Sequence, residues 1–197
     1  MNAREKILST LRKNQPAATA LPDVQGFVGK QAADADKYIQ TFRGIGGSLR
    51  EVNDIAEIIA ILQTDFAAFP RKITTVPQLA VVAETDWLSA DPHTLEDVGV
   101  MVMEGNFGVC ENGAVWVTEQ SMGQRAAPFI AEHLIMLLSK QQLVATMHDA
   151  YVRIAERFPV QYGFGAFIAG PSKTADIEQS LVLGAHGPRT MTMLLLP

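Results

Sequence analysis

An α/β fold with a mostly parallel sheet covered on both faces is predicted by three features of this sequence. Short apolar runs alternate with stretches of helical periodicity from about residue 48 to the end. The runs at 79–84 and 190–196 are apolar almost throughout, as expected of buried strands. The 15 glycines and 10 prolines suit a turn-rich chain of alternating short elements.

The elements follow in order. Residues 2–13 set Ile7, Leu8 and Leu11 on one stripe with charges opposite, an amphipathic helix expected to pack on the body or on a partner. Residues 14–30 are rich in Pro, Ala and Gly and lose periodicity, which reads as a linker or extended arm. A short helix is expected over 34–42, closed by Gly44 and Gly46-Gly47. Residues 1–45 are therefore taken as an N-terminal helix and arm, and 46–197 as the α/β domain. A strand over 48–52 leads to Asn53 or Asp54 as cap. Ile55, Ile58, Ile59 and Leu62 then fall on one helical face, with Asp54 and Glu57 placed for a capping box.

Strands are predicted at 72–76 and 79–84, then a loop over 86–97 with a short helical turn near Pro92. Three short strands follow at 98–103, 107–110 and 114–118, separated by glycine-containing breaks, with a further break at 125–128. The stretch 129–139 is ambiguous by periodicity, and its continuous apolarity favours a strand from His133 onward. A helix over 146–158, capped by Thr146, aligns Met147, Ala150, Tyr151, Ile154, Ala155 and Phe158. The chain closes with a strand at 166–169, a short helix carrying Ile177 and Leu181, a turn at 184–188 and a strand at 190–196.

Composition removes several functions. The net charge is −5, with no basic cluster and few aromatic residues, which argues against a nucleic-acid partner. No stretch approaches the roughly 20 apolar residues of a membrane-spanning helix, and the N-terminus lacks a signal-peptide core. A soluble, cytoplasmic protein is expected. The single cysteine, Cys110, excludes a disulfide within the chain and a four-cysteine zinc or iron–sulfur site. No histidine spacing typical of a metal site occurs, so no metal is expected.

Two stretches are candidates for chemistry. In the first, an apolar run is broken by Gly170-Pro171-Ser172, after which Ser172 or Thr174 is placed to cap a helix. A strand, a glycine break and a helix N-terminus together aim unpaired amides at an anion, and Lys173 is long enough to reach one. The turn Gly184-Ala185-His186-Gly187-Pro188 lies at the far end of that helix. The plain alternatives are an ordinary strand–helix junction, a solvated lysine and a histidine bonded within its turn. The second stretch is Cys110-Glu111-Asn112-Gly113. Glu111 between apolar strands suits a nucleophile or general base if it is partly desolvated. The alternative is a hairpin, because Asn-Gly is a favoured hairpin turn. His133, at the start of an apolar run, reads as a buried histidine with a satisfied hydrogen bond.

Three segments carry a family resemblance: CENGAVWVTEQ, PFIAEHLIMLL and GPSKTADIEQSLVLGAHGP followed by an apolar strand. Together, from about Ile73 to the end, they resemble the LUD domain family, in its short stand-alone form. Many members have a threonine after the glycine where this chain has Ala114. The resemblance implies a three-layer α/β sandwich with a Rossmann-like sheet, as in sugar-phosphate isomerases and CoA transferases. It also implies a place in a three-component system oxidising L-lactate to pyruvate. The clusters of that system lie on cysteine-rich iron–sulfur partner proteins, with no cofactor in this chain. The Glu111-Asn112-Gly113 segment looks like the catalytic glutamate motif of class I CoA transferases.

The function expected is thus a non-redox component of lactate utilisation that binds a small carboxylate or phosphorylated ligand. The expected ligand-binding residues are Asn112, Gly113, Gly170, Ser172, Lys173, Thr174 and His186, with Glu111 as catalytic group. Alternatives are an independent transferase or isomerase using Glu111, or a structural subunit. Ser172, Thr174 and Glu111 are expected to line one cleft, and the helix between Thr174 and Leu183 to hold His186 away from it.

Overall fold

The computed structural model describes residues 2–20, 22, 23, 26, 32–157, 163–174 and 182–197. The helices are α1 (Ala3–Lys13), α2 (Ala35–Gly44), α3 (Ile55–Thr64), α4 (Glu119–Met122), α5 (Ala127–Ile130) and α6 (Met147–Arg157). The strands are β1 (Ser48–Glu51), β2 (Lys72–Thr74), β3 (Val100–Glu104), β4 (Phe107–Val109), β5 (Val115–Thr118) and β6 (His133–Ser139). They continue with β7 (Leu143–Val144), β8 (Gly165–Ile168), β9 (Lys173–Thr174), β10 (Val182–Leu183) and β11 (Thr190–Leu196).

Five strands form the central sheet in the order β1-β11-β6-β3-β2, and every pair in it is parallel. Period-two alternation splits its side chains between two cores. Val100, Val102, Ile135, Leu137 and Leu194 face α3, which supplies Ile58 and Leu62. Met101, Met103, Leu134, Met136, Met191 and Met193 belong to the core on the other face. The expected α/β class is what the chain adopts.

The layer opposite α3 is itself a small sheet, β7-β4-β5-β8, with β4–β5 and β5–β8 antiparallel and β4–β7 parallel. Its strands alternate in the same way. Val115 and Val117 point into the core between the sheets, while Trp116, Phe107 and Val109 pack with Ala150 and Ile154 of α6. Methionine, unbranched and polarisable, packs adaptably in the core between the two sheets.

Helix ends follow their expected chemistry. Asp54 Oδ1 accepts from the Glu57 amide at 3.0 Å, and the Glu57 carboxylate returns to the Asn53 amide at 2.9 Å. Asp34 caps α2, and Thr146 Oγ1 accepts from the Asp149 amide at 3.2 Å at the start of α6. Phe158, expected in the last turn of α6, lies outside the described residues. Tyr151 and Ala155 of the expected stripe are exposed, whereas Ala150 and Ile154 are buried.

Several expectations need correction. The strand predicted at 79–84 is not one. Pro77 opens a 3-10 turn, Pro77–Leu79, and only Glu84 bridges to Ile73. Proline lacks the amide a ladder needs and fixes a helical φ, and Val81 is left 77% exposed instead of buried. The break expected at 125–128 becomes the helical turn α5, with proline in its first positions. α1 forms with a capping box of Asn2 and Glu5, yet every residue from 2 to 20 is exposed. The body therefore covers none of its apolar stripe. Packing is also continuous across residue 45, since Tyr38 and Phe42 of α2 are fully buried in the main core.

The helix expected behind Ser172 is contradicted at both of its described ends. Lys173 and Thr174 pair antiparallel with Leu183 and Val182, forming a two-stranded ribbon. Asp176, Ile177, Gln179 and Leu181 lie outside the described residues. The Ser172 amide donates to the Pro188 carbonyl at 2.9 Å, and the Gly184 amide donates to the Ser172 carbonyl at 3.1 Å. Backbone groups that a helix N-terminus would leave open are thus paired across the ribbon.

Candidate functional site

Ribbon geometry alters the first candidate site more than any single residue does. A helix would have carried His186 away from Ser172; the ribbon folds it back. His186 Nδ1 lies 3.4 Å from Thr174 Oγ1, and Gly187 packs so closely on Ser172 that an added Cβ would sit 3.2 Å from its Cβ. Ser172, Thr174 and His186 are thereby brought together at one rim, with His186 exposed. Two hydroxyls and an imidazole can donate to or accept from a small oxyanion. Lys173 sits between the two hydroxyl residues in sequence, and its ammonium donates to the Ile45 carbonyl just beyond α2. The Ser172 amide is already used by the Pro188 carbonyl and is not open to a ligand.

Gly170 and Gly113 hold the approach. Both have positive φ, 75° and 72°, a conformation glycine adopts without a Cβ penalty. A Cβ on Gly170 would lie 2.9 Å from the Ile45 carbonyl oxygen, and one on Gly113 would lie 2.9 Å from Ile45 Cδ1. The two candidate loops therefore meet on a shared neighbour, Ile45.

Glu111 and Asn112 lie in the five residues that join β4 to β5 in a hairpin. The Val109 amide donates to Ala114 O at 2.8 Å, the Gly113 amide to Val109 O, and the Ala114 amide to Asn112 Oδ1 at 3.0 Å. Glu111 Oε2 accepts from the Met147 amide at 2.8 Å, capping the first turn of α6. Its carboxylate is thus engaged with α6. Cys110 is buried beside it, with its thiol 3.3 Å from the Asp34 carbonyl, and burial pushes that thiol up from its ordinary value. A raised thiol holds little thiolate at neutral pH.

His133 is half-buried, and only one of its ring nitrogens has a hydrogen-bond partner among the described residues. Nδ1 lies 2.6 Å from Thr190 Oγ1, and the ring meets Phe69 edge-on at 4.3 Å between centroids. Burial lowers its pKa from the ordinary 6.5, with nearby Glu132 opposing the shift and Arg189 adding to it. The unfolded chain then takes up a proton at a higher pH than the folded one. The stability that His133 contributes in its neutral form should be complete above pH 6.5 and should fall as the pH drops below it. An NMR titration should place the His133 midpoint below 6.5; a midpoint at or above that value would contradict the packing described.

Sequence reading missed a polar cavity at the carboxyl edge of the parallel sheet, lined by Thr75, Glu104, Asn106, Thr118, Gln120 and Ser121. The available signal was a polar run, Glu104-Gly105-Asn106, directly after an apolar strand. No group of three or more potential metal ligands occurs among the described residues, and no described helix is long and apolar enough to cross a membrane.

The LUD domain family profile matches residues 2–196. A lactate utilization protein C of Bacillus pumilus is 31% identical over 104 residues, which is 51% of this chain and 43% of that protein. A lactate utilization protein C of Shouchella clausii is 32% identical over 105 residues, 51% of this chain and 44% of that protein. Each match spans less than half the length of the relative. Among solved structures, a DUF162 family protein of Deinococcus radiodurans shares the fold, with a TM-score of 0.63 at 14% identity. That superposition covers 82% of this chain and 95% of the other. With a profile match reaching from residue 2 to residue 196, the chain belongs to the LUD domain family.

Proposed function

We propose that this chain is a non-redox component of an L-lactate utilisation system and holds a small carboxylate at Ser172, Thr174 and His186. The observation that carries this reading is the folding back of the 184–188 turn, which sets the exposed His186 imidazole 3.4 Å from the Thr174 hydroxyl and packs Gly187 against Ser172. Lys173 ties the ribbon to the Ile45 carbonyl, and Gly170 and Gly113 let the loops approach Ile45. The names of the lactate utilization relatives support the pathway.

In this reading the electrons pass through cysteine-rich iron–sulfur partners in the cytoplasm, because one buried cysteine cannot hold a cluster here. Glu111 and Asn112 serve by fixing the hairpin and α6 behind the site. The test is growth of a host lacking the gene on L-lactate as sole carbon source. Wild-type complementation should restore growth, and His186→Ala or Ser172→Ala should fail to restore it while growth on glucose stays normal. Undiminished growth of the deletion strain on L-lactate would overturn the proposal.

A further inference from the structure

We propose that the polar cavity at the carboxyl edge of the central sheet binds a neutral, hydroxyl-rich small molecule of the sugar or polyol class, gripped by Glu104 and Asn106. Its volume is about 260 Å³. Thr75 directly follows β2, and Glu104 is the last residue of β3. Two neighbouring parallel strands thus deliver polar residues at the edge where α/β sheets present ligands. The turn from β5 into α4, carrying Thr118, Gln120 and Ser121, closes the opposite wall.

Hydrogen bonding within the wall determines what is left for a ligand. Asn106 Oδ1 accepts from the Thr118 amide at 3.1 Å and lies 3.3 Å from Ser121 Oγ. That fixes the orientation of the Asn106 amide, whose Nδ2 hydrogens have no acceptor among the described residues. Thr75 Oγ1 donates to the Ser121 carbonyl at 3.0 Å, so only its lone pairs remain open. The Glu104 carboxylate is exposed and makes no hydrogen bond or ion pair with the described residues. Unused acceptors and unused donors therefore converge on one small space.

Charge then selects the ligand class. Among the described residues, no lysine, arginine or histidine lines the cavity, and Glu104 is the one ionisable group that does. Lactate, pyruvate or a phosphate would meet uncompensated negative charge. An amine would satisfy Glu104 and leave the Asn106 donors unmatched. A hydroxyl donates and accepts at once, so adjacent hydroxyls complement a carboxylate and an amide together. The volume lies just below the roughly 300–1,000 Å³ of drug-sized pockets, which suits a single monosaccharide ring. A second cavity of about 210 Å³ shares Glu104 and is walled by Leu137, Leu138 and Leu196, giving room for an apolar substituent.

The test is saturation-transfer NMR followed by titration of the full chain with D-ribose and D-glucose, using L-lactate as the anionic control. At least one sugar should bind saturably. Glu104→Gln and Asn106→Asp should each weaken it about tenfold or more, since hydrogen bonds to charged groups are among the stronger ones. Asn106→Asp keeps the Oδ1 that anchors Thr118, and Glu104→Gln alters an exposed group, so at least the latter reads out binding without unfolding. L-Lactate should not displace the sugar. Failure of both sugars to bind at tens of millimolar, affinity unchanged in Glu104→Gln, or competition by L-lactate would overturn the assignment.

Discussion

Replacing Phe42 with alanine is expected to destabilise the protein by about 3–5 kcal/mol, the usual cost of deleting a buried phenylalanine ring. Phe42 is fully buried and stacks on Tyr38 with ring centroids 5.9 Å apart. Its ring occupies the space where Gly47 would otherwise carry a Cβ, and its backbone abuts Gly113 of the β4–β5 hairpin. The residue thus joins α2, the edge of β1 and the hairpin, so no neighbour can collapse into the hole without moving all three. For a chain of this length the loss should lower the melting temperature by roughly 6–20 °C. A drop of less than about 3 °C in thermal unfolding would mean that α2 is not part of the core.

Gly170→Ala should destabilise by about 2–4 kcal/mol, combining a left-handed backbone with a steric clash. Its φ is 75°, and the added Cβ would stand 2.9 Å from the Ile45 carbonyl oxygen, a backbone atom that cannot rotate away. That same carbonyl receives the Lys173 ammonium, so the substitution disturbs the rim of the candidate site as well as stability. Gly44→Ala is the control, because a Cβ there meets nothing within 4 Å. Chemical denaturation should show Gly44→Ala near wild type and Gly170→Ala clearly weakened. Equal stability of the two variants would contradict the loop conformation.

The central sheet was legible because its signals are local and redundant. The apolar runs of β6 and β11 favour strands buried on both faces, and the caps at Asp54 and Thr146 mark helix starts by their own side chains. Leu79 to Glu84 misled because an apolar run does not say whether a partner strand is available, and Pro77 decided against pairing. The ribbon at Lys173–Thr174 was missed because glycine, proline and serine start helices and turn ribbons equally well. Only the long-range pairing with residues 182–188 separates the two.

That pairing also governed how much of the site was legible. Ser172, Thr174 and His186 stand out as polar residues in glycine-rich turns, but their meeting depends on contacts 12 or more residues apart in sequence. Glu111 was conspicuous beside Asn-Gly; that its carboxylate reaches the Met147 amide, 36 residues on, is a tertiary fact. Glu104 and Asn106 drew no notice for the same reason, since their cavity is assembled from β2, β3 and the end of β5.

The most direct test of the central claim, a carboxylate held at the fold-back turn, follows the four histidine side chains by NMR during titration with pyruvate and L-lactate. The account predicts saturable shifts of the His186 imidazole signals, weakened by Ser172→Ala, with the half-buried His133 and with His93 in the Pro92–Leu95 turn unmoved. Absence of any shift at His186, or the same shift at His93 as at His186, would contradict it.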